Sequence, residues 1–316
     1  LRTPFTSAPH GESLLADSYL GELANDLGLD AMKSEPINLY LNGEYWGIYN
    51  IREKFNDHFF YENFNADPNQ IDHLEYTSTQ SGTQLMVIEG DLANYTQLLN
   101  FINEYELNSI ENYNQLEHMM NIDSFIDFLT MTIFTANTSW GHNREWWRPK
   151  TENGKWQWLL VDIDRGFNIY NTYSNQLDDL IEDYGLFSDL LSSTPFKNRF
   201  IQRANAHFNS TFSLEKITEI VDSLSLKIED EIPRHIERWG DEGSISSLND
   251  WYDELNEIVE FTENRKSVVQ NQFIEELNLD GLIDLQFEIN PPEAGVITVN
   301  GIPLNNSNPS NTFIKN

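Results

Sequence analysis

Two carboxylates, Asp162 and Asp164, stand one residue apart where an apolar segment of the chain ends. Residues 156–161 read Trp-Gln-Trp-Leu-Leu-Val, a run typical of a buried strand, and a turn containing Gly166 follows. Residues two apart on an extended backbone share a face, so both carboxylates would point the same way if the strand persists. Such a pair suits Mg²⁺, which binds carboxylate oxygens. Alternatively, both side chains cap the strand end and bond N–H groups of the turn.

A second stretch, residues 137–148, leaves a predicted helix and enters the strand that precedes the Asp pair. The two strands would form a hairpin that places Asn143 and Arg144 near the two carboxylates. An amide oxygen beside two carboxylates extends the set of oxygen ligands for a metal ion. The alternative is that Asn143 is only a turn residue. We expect the following Trp146 and Trp147 to lie in the core.

A third polar group, Arg52-Glu53-Lys54, ends the first predicted hairpin. Arg52 and Lys54 share a strand face, and Glu53 faces the other way. A strand lysine that reaches phosphates fits the chemistry of kinases. The alternative is an exposed strand end of mixed charge.

The charge balance limits the ligands of this chain. Its 316 residues contain 19 Lys and Arg against 51 Asp and Glu, a net charge of -32. Such a field repels nucleic acid and anionic membranes, so a nucleotide could bind only where local cations or a metal ion overcome it. There is no cysteine, which excludes disulfides, thiolate catalysis and cysteine-ligated metals. There is also no apolar run long enough for a transmembrane helix. The nucleophile elbow of serine hydrolases and the glycine-rich phosphate loops do not occur.

The elements that would position these groups change along the chain. Two apolar runs flank Asn42-Gly43, the strongest short-range signal for a hairpin. From about residue 92 the apolar period becomes helical, with one internal hairpin around Asn153-Gly154. After residue 281 the pattern alternates like β structure. We therefore predict an α+β chain with a main domain over residues 1–281 and a β module or linker over 282–316.

Taken together, these stretches resemble the CotH kinase family, named for a spore-coat protein. The likeness extends from about residue 14 to about residue 277, and the order and spacing of several segments make it specific. It is carried by residues 39–49 with 52–54, 124–127 with 136–138, Asn143 with 147–149, 154–156 running through Asp162, Asp164 and 166–167, 196–200, and 233–236 with 238–239.

The resemblance implies an atypical protein-kinase-like fold, with a β-rich lobe over about 1–90 and a larger helical lobe over about 91–281. It implies binding of Mg²⁺–ATP, with Ca²⁺ or Mn²⁺ as alternative ions, and transfer of the γ-phosphoryl to protein Ser or Thr. Carried over residue by residue, Lys54 would touch phosphates with Arg52 and Arg144 beside it, and Glu53 would orient that region. Asn143 with Asp162 or Asp164 would hold the metal ion.

The resemblance also implies bacterial relatives that are secreted or attached to the cell surface, often through further β modules. The strong negative charge favours a basic or Ser-rich protein substrate and excludes nucleic acid.

One position departs from the family pattern. Ser139 stands where the family pattern leads us to expect an Asp as the catalytic base, and serine cannot usefully accept the proton of an incoming hydroxyl near neutral pH. Asp178 or Asp179 could substitute, although no spacing indicates it. The departure keeps one alternative to a kinase open, a nucleotide-binding pseudokinase or surface adhesion module. A further alternative is a phosphohydrolase with Asp162 as nucleophile and Asp164 as acid, because an Asp-x-Asp pair after a strand also fits that chemistry.

Overall fold

Strands occupy much of the first part of the chain and helices most of the remainder. A computed structural model describes residues 1, 11–241, 245–291, 295–304 and 310–315. Numbered along the chain, the strands are β1 (Asp30–Ala31), β2 (Ser34–Leu41), β3 (Glu44–Arg52), β4 (Ile71–Thr79), β5 (Gly82–Glu89), β6 (Asn143–Pro149), β7 (Gln157–Leu160), β8 (Gly281–Gln286), β9 (Thr298–Val299), β10 (Ile302–Pro303) and β11 (Ser310–Lys315). The helices are α1 (Ala16–Leu27), α2 (Asp57–Phe64), α3 (Ala93–Glu104), α4 (Ile110–Met119), α5 (Ile122–Thr135), α6 (Gln176–Asp183), α7 (Gly185–Leu191), α8 (Thr194–Phe208), α9 (Leu214–Ser225), α10 (Ile232–Trp239) and α11 (Leu248–Leu277).

A central sheet provides the framework for the predicted site. Its five strands lie in the order β1-β7-β6-β4-β5. β1 pairs with β7 in parallel, and the other neighbours are antiparallel. β4 and β5 precede the predicted lobe boundary near residue 90 and β6 and β7 follow it, so one sheet joins strands from both sides. The α+β class is confirmed, and the division into two kinase-like lobes stays a prediction.

The predicted hairpin before Asp162 is present as β6 and β7. Trp146 and Trp158 face each other across the pair, with stacked rings whose centroids are 6.4 Å apart. Trp146 and Trp147 are almost fully buried, which confirms their predicted place in the core. Cross-strand aromatic pairs stabilise a single register. This register sets Asn143, the first residue of β6, beside the chain that leaves β7.

The hairpin predicted around Asn42-Gly43 is also present, as β2 and β3. Both turn residues have positive φ, 52° at Asn42 and 87° at Gly43, as a two-residue hairpin turn of the I′ type requires. The two strands form a sheet of their own, separate from the central sheet. A register shift between Leu39 and Tyr40 leaves Trp46 as a bulge in β3.

Buried helices support the central sheet from behind. Nearly every residue of α5 is buried, and α5 packs against α8, α11 and β7. Arg265 of α11 is fully buried and donates hydrogen bonds to the carbonyls of Ile133 and Phe134 at the end of α5. Its guanidinium also bonds the carbonyls of Thr172 and Ser174. One side chain therefore joins the end of α5 to the loop that follows the Asp162 segment.

The C-terminal segment forms two short strand pairs, β8 with β11 and β9 with β10. β11 lies against the helical part of the chain: Ile314 belongs to the main core, and the carbonyl of Thr312 accepts hydrogen bonds from Asn209 and Gln270. The predicted β character of residues after 281 is therefore present, and β11 packs on the main domain.

The central sheet ends in an exposed edge strand, β5. In the sheet built by the described residues, β5 is the last strand, and all its residues are exposed. Four consecutive apolar side chains, residues 85–88, are among them. Separately, no helix within the described ranges combines the length and the apolar character of a membrane span.

Candidate functional site

A cleft of about 670 Å³ lies between the end of β3 and one face of the central sheet. We call it the central cleft. It brings together the three stretches singled out in the sequence, because the end of β3, the start of β6 and the segment after β7 all line it. The residues that line it are Leu1, Met32, Arg52, Glu53, Lys54, Phe55, His73, Glu75, Thr77, Ile88, Asn143, Glu145, Val161 and Asp162.

Asp162 lies just beyond the end of β7, which stops at Leu160. Its φ is 44°, in the left-handed region that residues other than glycine adopt rarely. The chain therefore turns at Asp162, and the face alternation of an extended strand does not continue to Asp164. Asp162 lines the central cleft, whereas Asp164 is not among the described lining residues. The expectation that both carboxylates share a face depended on a persisting strand, and the strand ends first.

Asn143 holds Asp162 in place from the neighbouring strand. The Asn143 Nδ2 group donates to Asp162 Oδ2 and to the Asp162 carbonyl, both at 3.3 Å. The amide oxygen of Asn143 is the remaining polar atom of that side chain. A carboxylate and an amide oxygen thus lie at one wall of the central cleft, as the hairpin predicted.

Ser139 contacts the backbone of Asp162 from a buried position. Its hydroxyl is 2.8 Å from Asn137 Oδ1 and 3.2 Å from the carbonyl oxygen of Asp162. Ser139 is buried and is not one of the lining residues. Its contacts brace the loop around Asp162, and they do not present the hydroxyl to the central cleft.

A second wall, at the end of β3, carries the cationic side chains. Arg52 ends β3, and the exposed Lys54 follows two residues later. Glu53 between them pairs with Lys33: Glu53 N donates to the Lys33 carbonyl at 2.9 Å, and Lys33 N donates to Glu53 Oε2 at 3.0 Å. These bonds fix the direction in which the chain leaves β3. Arg52, Glu53 and Lys54, the three residues of the segment predicted to contact phosphates, therefore all line the cleft.

Arg144 requires a correction. As the neighbour of Asn143 on an extended strand, it points to the opposite face of the sheet. Its guanidinium lies over the rings of Tyr76, Trp140 and Tyr184, at 4.5, 5.3 and 4.3 Å from their centroids. The side chain is buried in this aromatic setting, so the structure does not bring Arg144 to the central cleft.

Sequence reasoning missed part of the floor of the cleft. His73 and Glu75 of β4 and Glu145 of β6 all line it. His73 Nε2 is 2.8 Å from Glu145 Oε2, and the imidazole is almost fully buried. The signal was present as period-two alternation of polar residues from His73 to Thr77, with turn residues on both sides, at Pro68 and at Ser81-Gly82.

The β2–β3 hairpin is fixed by helix α10. Trp239 Nε1 donates to the carbonyl of Trp46, the bulged residue, at 2.6 Å. Ile48 N donates to His235 Nδ1 at 3.0 Å. Burial lowers the pKa of His235 to about 4, so its ring is neutral and able to accept this bond at neutral pH.

The oxygen donors of the central cleft suit a metal–nucleotide complex better than a free ion. Within the described part of the chain, no group of three or more His, Cys, Asp or Glu side chains is arranged to hold a metal. Mg²⁺ is commonly bound through one or two carboxylates together with substrate phosphates and water. Asp162, with the amide oxygen of Asn143, is such a partial donor set and fits that mode of binding.

A second groove opens beside the central cleft. It has a volume of about 410 Å³ and shares Met32 with the cleft. We call it the α1 groove, because its wall includes Gly21, Glu22 and Asn25 of α1. Apolar side chains, among them Phe59, line it as well. The central cleft therefore contains both cationic side chains and side-chain oxygen atoms that can bind a metal ion, and the partly apolar α1 groove adjoins it.

Comparison with known proteins agrees with the resemblance noted in the sequence. A family model described as CotH kinase protein matches residues 5–269, most of the chain. A search of curated proteins found no match.

Proposed function

Because the chain belongs to the CotH kinase family, we propose that it binds Mg²⁺–ATP in the central cleft and transfers the γ-phosphoryl group to Ser or Thr of a protein. The observation that carries this proposal is the pairing of two walls. Arg52 and Lys54 line one wall, and Asp162 and Asn143 line the other. Phosphoryl transfer depends mainly on positioning and on neutralising phosphate charge, which these two walls could supply.

Each wall has a distinct task in this proposal. Lys54 and Arg52 contact phosphate oxygens, while Glu53 holds the backbone between them through Lys33. Asp162 and the amide oxygen of Asn143 would hold Mg²⁺, which when bound offsets the negative charge of the phosphates. Asn143 also keeps the Asp162 carboxylate in place through its Nδ2 group. The α1 groove is the proposed location of the adenine base, since apolar surface there adjoins the cleft.

The net charge of -32 makes local cations necessary. A tetraanionic nucleotide approaching this protein meets a repulsive field, and low salt extends that field over longer distances. Arg52, Lys54 and the metal ion oppose it within the central cleft. The same field attracts basic segments, which supports a basic protein as the phosphate acceptor.

A nucleotide-binding pseudokinase is the second candidate, and the position of Ser139 favours it. The side chain at the expected catalytic position bonds Asn137 and the Asp162 backbone and does not line the cleft. A general base contributes about 10²–10⁴-fold to rate, so transfer without one would be slow. We also propose, from family membership alone, a secreted or surface-attached location with contacts made through flanking modules.

The first experiment is a thermal unfolding series with and without Mg²⁺–ATP. Ligand at about 100 times its dissociation constant should stabilise the protein by roughly 2.7 kcal/mol. Asp162→Asn should abolish the Mg²⁺-dependent part of this shift. Asp164→Asn is the matched control, because it makes the same chemical change two residues away and should leave the shift in place.

The second experiment measures ³²P transfer from γ-labelled ATP to a basic, Ser-rich peptide. Transfer that is lost in Asp162→Asn supports the kinase. Nucleotide binding without transfer supports the pseudokinase. No stabilisation by Mg²⁺ and ATP together would contradict both.

A further inference from the structure

The phosphate-binding wall of the central cleft is carried by a hairpin that stands outside the central sheet. Arg52 is the last residue of β3, and Lys54 follows it. Among the described strands, β2 and β3 pair only with each other. A hairpin of two strands is marginally stable by itself in water. The position of Arg52 and Lys54 therefore depends on what holds this hairpin.

Helix α10 holds β3 by its backbone. The bulge at Trp46 turns a carbonyl out of the β2–β3 ladder, and Trp239 Nε1 donates to it at 2.6 Å. Two residues later, Ile48 N donates to His235 Nδ1 at 3.0 Å. Both bonds go to main-chain atoms, so they fix the path of β3 whatever its side chains do.

Gly47, between these two bonds, makes the close approach feasible. Its φ is 129°, a conformation that favours glycine. A Cβ atom at this position would lie 2.9 Å from Trp239 Nε1 and 3.2 Å from His235 Nδ1. Any larger residue would push α10 away from the strand. Glycine, histidine and tryptophan thus act together as one contact, which we call the α10 clamp.

At the outer edge of the α10 clamp, α10 contacts the side chains of β3 and not its backbone. Arg234 lies over the ring of Tyr45 at 4.0 Å, and Arg238 lies over the ring of Trp46 at 4.6 Å. The Arg234 side chain is 46% exposed. Cation–π contacts at such exposed places are weak. They supply a matched control, because they join the same two elements without fixing the backbone.

We propose that His235 and Trp239 are positioning residues for the phosphates of the nucleotide. They fix β3 so that Arg52 and Lys54 line the same cleft as Asp162, and the inference rests on the proposed binding of Mg²⁺–ATP there. From Ile48 to Arg52 the chain runs on through one strand without a break. A displacement of β3 at the α10 clamp is therefore carried to Arg52.

Two other contacts also hold β3. Asn50 Nδ2 donates to the Leu14 carbonyl at 3.4 Å, and Glu53 pairs with Lys33. They allow the hairpin to stay attached when the clamp is weakened, while its docked population falls. The apparent dissociation constant rises as the binding-competent fraction falls. A defect in the α10 clamp should thus weaken nucleotide binding even in a protein that remains folded.

The experiment compares nucleotide binding in matched variants by isothermal titration calorimetry at pH 7.5. His235→Leu removes the acceptor and leaves the buried Ile48 N–H unpaired, which should weaken Mg²⁺–ATP binding by about tenfold. His235→Asn is the conservative variant, because asparagine carries an oxygen where histidine has Nδ1. It should restore the affinity to within about twofold of the unmodified protein.

Trp239→Phe and Arg234→Ala complete the series. Trp239→Phe keeps an aromatic ring and removes the N–H donor to Trp46 together with part of the indole, and it should weaken binding by about threefold to tenfold. Arg234→Ala should change the affinity by less than about twofold. Unchanged affinity in His235→Leu and Trp239→Phe, with only a lower melting temperature, would overturn the inference.

Hydrogen–deuterium exchange provides a measurement that does not need nucleotide. In His235→Leu and Trp239→Phe, faster exchange should be confined to residues 34–54, and residues 143–160 should stay as protected as in the unmodified protein. A uniform rise over both regions would mean that α10 only stabilises the whole fold, and would also overturn the inference. If the unmodified protein fails to bind Mg²⁺–ATP, the proposed function falls, and the exchange pattern still decides whether the α10 clamp exists.

Discussion

The two walls of the central cleft are each carried by a β-hairpin, and the two hairpins are held in different ways. β6 and β7 lie inside the five-stranded sheet, with Trp146, Trp147 and Trp158 buried in the core. β2 and β3 form their own sheet and depend on α10 for two backbone contacts. The metal-side wall therefore shares the stability of the whole fold, and the phosphate-side wall depends on the few contacts that attach one separate hairpin.

Because of this difference, the free energy of unfolding and the position of the phosphate-side wall can change independently of each other. Changes behind Asp162 should alter the free energy of unfolding first. Changes near Ile48 should alter the position of Arg52 and Lys54 first, because the hairpin can shift while the sheet stays intact. The following predictions test this separation, from the largest expected effect to the smallest.

Trp158→Ala should have the largest effect on stability. Trp158 is fully buried against Trp146 and Phe125. Removing its ring leaves a cavity in the central sheet and should lower the free energy of unfolding by about 3–5 kcal/mol, measured by urea denaturation. Trp158→Phe is the control, because it keeps an aromatic ring and should cost clearly less. A loss below about 1 kcal/mol in Trp158→Ala would show that this hairpin is not the rigid one.

Gly47→Ala should have a moderate effect. The added methyl group meets Trp239 and His235, and the φ of 129° is unfavourable for alanine. We expect a loss of about 1–3 kcal/mol in urea denaturation. Gly43→Ala in the turn of the same hairpin is the comparison: its φ is also positive, at 87°, but no atom lies within 4 Å of the added Cβ. If both variants lose the same amount, strain alone explains the result and the α10 clamp does not.

The third prediction concerns acid pH. Burial lowers the pKa of His235 from its usual 6.5 to about 4 in the folded protein. As the pH falls, the unfolded chain takes up the proton first, so this contribution to stability is fully present above about 6.5 and is lost towards about 4. The unmodified protein should thus lose stability more steeply than His235→Asn in this window, by at most about 1.4 kcal/mol per pH unit. Parallel curves of unfolding free energy against pH would contradict the prediction.

Arg234→Ala should have the smallest effect. Its guanidinium contacts Tyr45 and donates to the Tyr40 hydroxyl, but the side chain is largely exposed. We expect a loss of about 0.5–1 kcal/mol, measured by the same denaturation. A loss as large as that of Gly47→Ala would move the centre of the contact from the backbone bonds to its outer edge.

Local signals in the sequence were sufficient for both hairpins. Asn42-Gly43 requires two positive φ angles, and the structure has them. The second hairpin brings Asn143 to Asp162 because strand pairing follows from the turn and from the apolar pattern. The same pattern also predicted that Trp146 and Trp147 are buried. These features depend on neighbours that are close in sequence, and short-range chemistry decides them.

The rest depended on contacts that no local pattern encodes. The turn at Asp162 ended the alternation that was expected to join it with Asp164. Arg144 follows Asn143 and so lies on the other face, where two of the three rings around it, those of Tyr76 and Tyr184, come from distant segments. The bond between Ile48 and His235 spans 187 residues of sequence. Pairings over such separations follow from the packing of the whole chain and not from the propensities of either segment.

The open edge of β5 has a consequence for the protein in concentrated solution. Its exposed apolar side chains, with an outer edge that pairs with no other described strand, form a template on which another chain could add a strand. Between copies of this protein, the net charge of -32 opposes such contact by mutual repulsion. Added salt shortens the range of that repulsion, because the Debye length falls to about 3 Å at 1 M ionic strength. The apolar attraction stays in place. Colloidal stability should therefore fall as salt rises, and light scattering across a salt series would record it.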